Sequence, residues 1–380
     1  MFALFRGHQY AHASGIKYRL PCGTAESLEH HVRTFFQEDG VGSGPPVLVG
    51  ALPFAAQATA FVFQPRQFHR GAGQGPFAHV GDMDVARGWA PFRVRAHPGP
   101  ADYAAMVRQA LDMIGRGALS KVVLSRSLHI EAAMPVDPLE VAARLARDGN
   151  ATTFMMALPV EAHSEPTTLV GATPELLVSR SGEQVLSHPL AGSAPRCRDG
   201  AQDEAMAQGL LRSDKDRREH ALVVEAILDI LSPYCTRLGT PDGTALYSTA
   251  TMWHLGTRIE GALKRDAPSS AGLAALLHPT PAVGGSPRPA ALAAIRAIEP
   301  HDRGFYAGAI GWTDAQGDGE WHVTLRCAEI CGARLTLQAG AGIVAGSCPD
   351  DEVAETGAKF RAMLRAIEME EAGDFLEAVS

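Results

Sequence analysis

The sequence lacks the features that mark several protein classes. Its six cysteines are scattered over 380 residues without a CxxC pair, so neither a disulfide framework nor a zinc site of closely spaced thiols is indicated. No apolar run approaches the roughly 18 residues that span a membrane, and the first residues lack the apolar core of a secretory signal. We therefore expect reduced thiols, no membrane partner and a cytoplasmic protein.

Positive charge is also scarce. The chain has 34 lysines and arginines against 42 aspartates and glutamates, which gives a formal net charge of −8 at pH 7. Nucleic-acid-binding proteins usually carry a basic surface, so nucleic acid is not an expected partner. If the ligand is an anion, the protein must build a local positive site or recruit a cation against its own net charge.

What remains is an ordinary globular composition whose pattern predicts an α+β fold. Hydrophobic residues make up 46 % of the chain and charged residues 20 %. Predicted strands come in pairs, as at Glu175–Arg180 and Gln184–Ser187 around a Ser-Gly-Glu turn, and helices separate the sets of hairpins. This order favours antiparallel sheets over alternating βαβ units.

The N-terminal quarter gives weaker signals. Residues 1–95 are predicted to be irregular apart from two short strands within Pro45–Phe63. The sequence RAHPGP at Arg95–Pro100 is a candidate linker because it combines proline with glycine. Nothing in this part of the chain suggests catalysis.

One predicted helix carries a carboxylate on its apolar stripe. The helix covers Ser213–Leu231 and starts with two cap candidates, Ser213 and Asp214. Four residues before Val223 on the buried stripe stands Glu219. A buried carboxylate must be paired or bind a metal, since burying it bare is costly. The alternatives are a solvated side chain in the first turns or a pair with the lysine four residues earlier.

The last predicted helix carries a second charged face. Glu352, Glu355 and Lys359 are spaced i, i+3 and i+7, which places them on roughly one side. Just upstream, Gly340 and Gly342 allow a close approach of the backbone to a ligand. The alternative is a helix N-terminus rich in acids with an ordinary ion pair.

Two charged residues stand at the starts of predicted strands. Lys121 begins the strand Lys121–Ile130 and shares a face with Val123 and Ser125. Apolar neighbours disfavour the charged form of a lysine, which suits a general base, whereas an exposed lysine is the alternative. Glu175 follows Pro174, and a surface turn acid is the alternative there.

Arg326 lies in a predicted strand, Trp321–Cys327, that alternates cleanly. His322, Thr324 and Arg326 share one of its faces. The arginine is expected either beside a polar cavity, where it suits a bidentate carboxylate contact, or in solvent.

Nine sequence strings connect these residues to one enzyme family. In chain order they are SKVVLSR (Ser120–Arg126), GATPELL (Gly171–Leu177), HPLAGSAPR (His188–Arg196), SDKDRREHALV (Ser213–Val223), TMWHLGTRIEG (Thr251–Gly261), LLHPTPAVGGSP (Leu276–Pro287), GFYAGAIGW (Gly304–Trp312), GEWHVTLRCAEI (Gly319–Ile330) and QAGAGIVAGSCPDDEVAETGAK (Gln338–Lys359). Together they resemble the chorismate-binding family, which includes isochorismate, salicylate, anthranilate and aminodeoxychorismate synthases. The resemblance covers about residues 115–368 and is closest to the isochorismate synthases of catechol-siderophore pathways.

The resemblance implies a fold and an organisation. The family fold is α+β, with two large antiparallel sheets packed face to face, helices on the flanks and the active site in a cleft at the sheet edges. It implies a single chorismate-binding domain over residues 1–380, with a variable part at 1–100 and the motifs within 101–370. A monomer without a glutaminase subunit is expected.

The resemblance also implies a magnesium site and a substrate site. Glu219 and Glu355 match the acidic ligands of Mg²⁺, with Glu352 nearby and acting through water. Mg²⁺ keeps several waters, so a few carboxylates suffice to hold it. The positions that match the binding site for chorismate are Gly192, Ser193, His254, Ala282, Arg326, Gly340, Gly342 and Lys359.

The chemistry implied is the movement of a hydroxyl group. Lys121 matches a general base that activates water to attack ring C2, and Glu175 matches a general acid that protonates the departing C4 hydroxyl, which gives isochorismate. Family members that use ammonia generally lack this lysine and tend to carry threonine at Ala282. A salicylate synthase, which goes on to eliminate pyruvate, is the alternative enzyme, although Ala282-Val283 favours isochorismate formation. A catalytically inactive scaffold protein is the alternative from another class.

Overall fold

The computed structural model describes residues 1–21, 23–37, 42, 44–73, 75, 91–159 and 165–366. Its strands in that part of the chain are β1 (Phe2–Arg6), β2 (Gln9–Arg19), β3 (Val47–Leu52), β4 (Phe61–Ala72), β5 (Pro91–His97), β6 (Lys121–Ala132), β7 (Thr152–Ala157), β8 (Thr168–Thr173), β9 (Leu176–Ser181), β10 (Gln184–His188), β11 (Leu190–Pro195), β12 (Cys235–Gly239), β13 (Thr244–Ser248), β14 (Met252–Thr257), β15 (Ile259–Leu263), β16 (Gly285–Ser286), β17 (Ala309–Asp314), β18 (Gly319–Val323), β19 (Cys327–Cys331) and β20 (Arg334–Val344). Its α-helices are α1 (Ala25–Gln37), α2 (Pro100–Gly115), α3 (Pro138–Leu145), α4 (Gly200–Arg212), α5 (Asp214–Leu231), α6 (Ser270–Leu277), α7 (Arg288–Ile298) and α8 (Pro349–Ala366).

Seventeen of the strands form one continuous sheet, and every strand pair in it is antiparallel. Hydrogen-bonded neighbours follow the order β5-β6-β20-β19-β8-β7-β1-β2-β4-β3-β17-β18-β9-β10-β15-β12, and β16 pairs with the start of β6. The strands β11, β14 and β13 form a separate small sheet. The predicted hairpin between β9 and β10 is confirmed.

The continuous sheet folds back on itself, so that its two halves share a core. Phe2 and Leu4 of β1 belong to the same buried cluster as Trp321, which lies in the other half. Between them, Ala3 faces the opposite side and belongs to a second cluster with Phe360 of α8. The two facing sheets expected from the family are therefore two halves of one ribbon, and the α+β prediction is confirmed.

The two strands predicted within Pro45–Phe63 are present as β3 and the start of β4, but the prediction that the rest of residues 1–95 is irregular was wrong. Residues 2–19 form two strands, α1 follows them, and β2 pairs with β4 along most of its length. In β2 only Ala11 and Ala13 are buried, so the sequence shows no strong apolar alternation. The candidate linker is wrong as well, because Arg95–His97 pairs with β6 as part of β5. Strand pairing thus joins the N-terminal residues to the rest of the fold.

The helix predicted over 213–231 is present, with a cap at Ser213. The Oγ atom of Ser213 accepts a hydrogen bond from the backbone N–H of Asp216 at 3.2 Å, and α5 begins at Asp214. The sequence interpretation missed α4, which ends one residue before this cap. No helix in the described part of the chain combines the length and the hydropathy needed to cross a membrane. Cys22 lies outside the described residues, and the other five cysteines are free thiols.

The cap of α5 provides a test of the local structure. We expect Ser213→Ala to lower the free energy of unfolding by about 1 kcal/mol, because the N–H of Asp216 loses its acceptor. Ser213→Gly is the matched control and is expected to cost only about a few tenths of a kcal/mol. Urea unfolding followed by circular dichroism measures both. Unchanged stability in Ser213→Ala would contradict the assignment.

Candidate active site

A cavity lies beside β6 and β20. The small sheet (β11 and β14) and the helices α5 and α8 provide its other walls. Every predicted site residue lines this cavity except Lys121, which lies against the lining residue Glu219, and Glu352, which precedes the lining residue Glu355 on α8. A deep cleft with convergent polar groups is the usual form of a small-molecule site.

Lys121 is held inside the protein by a glutamate. Its side chain is fully buried, and its Nζ atom lies 2.9 Å from Oε1 of Glu219. The exposed-lysine alternative is therefore wrong, and so is the solvated alternative for Glu219. A buried ammonium group requires such a partner, because an isolated charge is very costly in a protein interior. The glutamate on the apolar stripe of α5 thus compensates the charge at the start of β6.

Gly342 makes room for this ion pair. A Cβ atom at Gly342 would stand 2.1 Å from Oε1 of Glu219 and 3.2 Å from Cε of Lys121. Any other residue here would displace the carboxylate. Gly342 therefore makes room for the side chain of Glu219. The sequence interpretation expected it to make room for the ligand.

The edge of β20 next to the cavity presents backbone groups that do not pair with β6. The N–H groups of Val123 and Ser125 donate to Gly284 and Glu299 and not to β20. Gly342 and Gly340, which stand opposite them, are therefore non-hydrogen-bonded positions of the ladder and direct their backbone groups away from β6. The pairing of β20 with β19 ends at Leu337, so these groups lie at an open edge.

The acidic face of α8 is matched by two lysines. Nζ of Lys359 donates to Oε1 of Glu355 at 2.7 Å and to the carbonyl of Gly340 at 2.7 Å. Nζ of Lys215 lies 2.8 Å from Oε1 of Glu352, so the predicted alternative of a pair with Glu219 is wrong. Burial acts to lower the pKa of Lys215, but the charges of Glu352, Glu355 and Glu219 raise it on balance. The carboxylates of all three glutamates therefore lie close enough to Lys215 to influence its charge.

A buried arginine attaches α8 to β6. The side chain of Arg126 points to the face of β6 opposite Lys121, and its Nε donates to Oγ1 of Thr356 at 2.8 Å. Its Nη2 donates to the carbonyl of Val353 at 3.2 Å, and its guanidinium group stacks on the ring of Phe360. These contacts set the rotation of α8 relative to the strand that carries Lys121.

Glu175 lies in the short turn between β8 and β9 and is 2 % exposed, so the surface-acid alternative is wrong. Burial raises the pKa of Glu175 to about 8, although the charges of Lys121, Lys359 and Arg326 and the N–H of Leu190 act in the opposite direction. Most Glu175 carboxyl groups are therefore protonated at neutral pH. The side chain can donate a proton into the cavity.

Arg326 reaches the cavity by a route that the sequence pattern did not predict. The strand ends at Val323 and resumes at Cys327, and Arg326 adopts φ +47° in the left-handed region. The chain leaves the sheet because Thr324 N–H donates to Gly308 and Leu325 N–H donates to Val323. As a result Leu325 and Arg326 both line the cavity, so the predicted alternation was wrong here. Such backbone strain is typical of functional sites.

The small sheet supplies a neutral histidine. Burial, helped by the charges of Arg326 and Lys359, holds the pKa of His254 well below its usual range. The unprotonated Nε2 accepts a hydrogen bond from Nη2 of Arg326, and the ring also bonds to the backbone of Gly192. A β-bulge at Gly192, with φ +77°, turns Ser193 so that its Oγ donates to Glu355 at 3.0 Å.

The acidic residues fit an open site for a hard divalent cation. Glu219 and Glu355 line one cavity, and the buried Oε2 of Glu352 has no hydrogen-bond partner. No three histidine, cysteine or acidic side chains within the described residues form a ready-made metal cage. A site of few carboxylates completed by water or by a ligand is what Mg²⁺ ordinarily uses, so the donor set is suitable.

The sequence interpretation missed several residues of the wall. Arg303, Tyr306 and Gln338 line the cavity, and Arg303 directly precedes one of the nine strings. Ala307 is, with Arg326, a non-glycine residue in the left-handed region, and it also lines the cavity. An arginine directly before a matched string was the available signal for Arg303. The backbone strain at Ala307 has no sequence signature.

Known proteins resemble this chain over most of its length. A family model described as "Chorismate binding enzyme" matches residues 89–368. The isochorismate synthase DhbC of Bacillus subtilis (strain 168) is 46 % identical over 329 residues, which are 86 % of this chain and 82 % of that protein.

Two solved structures share the fold. DhbC of Bacillus anthracis superposes with a TM-score of 0.89 at 39 % identity and covers 97 % of this chain and 96 % of its own. MenF, the menaquinone-specific isochorismate synthase of Escherichia coli, superposes with a TM-score of 0.80 at 25 % identity, over 96 % of this chain and 88 % of its own. The family match, the relatives and the shared fold agree, and the protein belongs to the chorismate-binding enzyme family.

Proposed function

We propose that the protein is an isochorismate synthase, an isomerase that converts chorismate to isochorismate. The observation that carries this proposal is the placement of two buried groups: Glu175 lines the cavity, and Lys121 lies behind its wall against the lining residue Glu219. Moving a hydroxyl group from C4 to C2 of the ring requires one group that takes a proton from water and one that gives a proton to the leaving oxygen. Relatives named as isochorismate synthases support the same activity.

The two groups divide the chemistry between them. In the neutral state Lys121 removes a proton from the water that attacks C2, and Glu175 protonates the hydroxyl that departs from C4. The reaction consumes and releases one water molecule, and each group ends the cycle in the opposite protonation state. Such a pair requires a carboxyl group that stays protonated while the amine is neutral, and burial favours this by raising the pKa of Glu175 to about 8.

The cations and the open strand edge would hold chorismate, which carries two carboxylates. We assign Arg326 and Lys359 to a carboxylate, together with backbone N–H groups of Gly340 and Gly342. The other contacts of the ring and its side chain are assigned to Gly192, Ser193, His254 and Ala282.

Mg²⁺ is the proposed cofactor, held by Glu219 and Glu355 with Glu352 nearby. When bound it offsets the charge of a substrate carboxylate and orients it. The protein side of the site consists of carboxylates that already lie against lysines, so their positions are fixed before the ligand arrives. Since water is the nucleophile, we propose that the enzyme needs no glutaminase subunit. We also propose that it is a monomer and that it works in the cytoplasm.

Product identification tests the proposed function. We expect the purified protein to form isochorismate from chorismate and Mg²⁺ without ammonia, because it carries the lysine that activates water. Chromatography with mass spectrometry separates the possible products. Salicylate with an equal amount of pyruvate, a need for ammonia, or no turnover would each contradict the proposal, and the last would favour the inactive scaffold.

The pH profile tests the role of Glu175. We expect kcat/KM to fall about tenfold per pH unit above about 8, because the acid must be protonated and burial raises its pKa to about 8. Glu175→Gln should lose about 10²- to 10⁴-fold in kcat, since an amide cannot supply the proton. Glu175→Asp is the matched control and should keep part of the activity. Wild-type activity in Glu175→Gln would refute the assignment.

Metal removal tests the cofactor. We expect EDTA to abolish turnover and added Mg²⁺ to restore it, because the substrate carboxylate would otherwise face Glu219 and Glu355 uncompensated. Glu355→Gln should raise the Mg²⁺ concentration needed for half-maximal activity. Glu225→Gln, on the same helix as Glu219 but outside the cavity, is the control. Full activity in EDTA would exclude the metal.

A further inference from the structure

A second buried ion pair lies beside the cavity and has no part in the chemistry described above. Nε of Arg303 donates to Oε2 of Glu299 at 2.9 Å, and Nη2 lies 2.5 Å from Oε1 of the same carboxylate. The two side chains are 1 % and 2 % exposed. Breaking such a pair leaves an uncompensated charge in the interior, so its geometry is strongly constrained.

The guanidinium group of Arg303 also binds two separate elements of the cavity wall. Nη1 donates to the carbonyl of Val283 at 2.8 Å, and Nη2 donates to the carbonyl of Val123 at 2.7 Å. Val283 belongs to the turn after α6, whereas Val123 lies on β6 two residues after Lys121. Arg303 therefore sets the distance between this turn and the strand that carries the proposed base.

Glu299 extends the same network along β6. Its Oε1 accepts hydrogen bonds from the backbone N–H of Ser125 at 2.7 Å and from Oγ of Ser125 at 3.0 Å. The carbonyl of Arg303 accepts a bond from Nε2 of Gln338 on β20 at 3.1 Å. The face of the guanidinium group lies 4.1 Å from the ring centre of Phe54, which restricts its orientation further.

Four of the five N–H donors of Arg303 are used within the protein. Although Arg303 lines the cavity, it has little donor capacity for a ligand. The planar fork supplies its bonds in fixed directions, which a lysine ammonium cannot reproduce. This geometry indicates a residue that acts through its neighbours.

We propose that Arg303 and Glu299 form a positioning pair that holds the Ala282–Val283 turn in register with Lys121. The inference rests on the proposed function, because the turn is assigned there to the substrate ring. With the pair intact, the ring is held where water on the Lys121 side can attack C2. Without it the carboxylate contacts of chorismate remain, but the ring and the base are misaligned.

Steady-state kinetics on the purified full chain test the pair. We expect Arg303→Lys and Glu299→Gln each to lower kcat about 100-fold, since small misplacements of reacting groups can cost that much. KM for chorismate should change by less than about threefold, because Arg326 and Lys359 are untouched. The double variant should be no slower than the worse single variant, because the two residues act as one unit.

A control separates positioning from simple loss of stability. Met155 belongs to the second buried cluster, with Ala3 and Phe360, and does not line the cavity. Met155→Ala should therefore lower the melting temperature without changing kcat. Circular dichroism confirms that each variant is folded at the assay temperature. If Arg303→Lys fails to fold, Glu299→Gln still tests the pair, because it keeps the side-chain volume. If wild type forms isochorismate and the folded variants keep kcat within twofold, the positioning role is refuted. A rise in KM at constant kcat would also refute it, whereas failure of wild type to form isochorismate refutes the proposed function itself.

Discussion

The burial of Lys121 is the constraint on which the site depends. A lysine in the sheet with no exposure to solvent requires a carboxylate, and α5 supplies it by placing Glu219 on its apolar stripe. The carboxylate fits only because residue 342 has no side chain. The identity of one residue in β20, the rotation of α5 and the charge of β6 are therefore linked. Together they place the amine of Lys121 next to the cavity, where a bound ligand can change the charges around that amine.

The same principle reconciles an acidic protein with an anionic substrate. Lys121, Lys215 and Lys359 each lie against a glutamate, so much of the local charge is balanced within the wall. A divalent cation can bind the glutamates, and a dianionic substrate can bind the lysines. Each ligand then supplies the opposite charge that the other has drawn away. The net charge of −8 therefore says little about the site.

The sequence motifs predicted the site better than they predicted the backbone that builds it. Most of the residues named from the nine strings line one cavity, although they lie in strands, turns and helices that are far apart in the sequence. Periodicity failed at Arg326, where hydrogen bonds from Thr324 and Leu325 draw the chain out of the sheet. It failed in β2 because that strand buries little. Lys215 pairs with Glu352, 137 residues away, and Arg303 pairs with Glu299, 4 residues away. Only the three-dimensional structure selects these partners over nearer candidates.

The central claim is that Lys121 activates a water molecule that becomes the C2 hydroxyl of the product. Turnover of chorismate in H₂¹⁸O, stopped at low conversion and analysed by mass spectrometry, measures this directly. The account predicts one ¹⁸O atom in each isochorismate molecule, located at C2, and no labelled product with Lys121→Ala. Isochorismate formed at the normal rate without ¹⁸O would show that the original hydroxyl migrates, and would contradict the account.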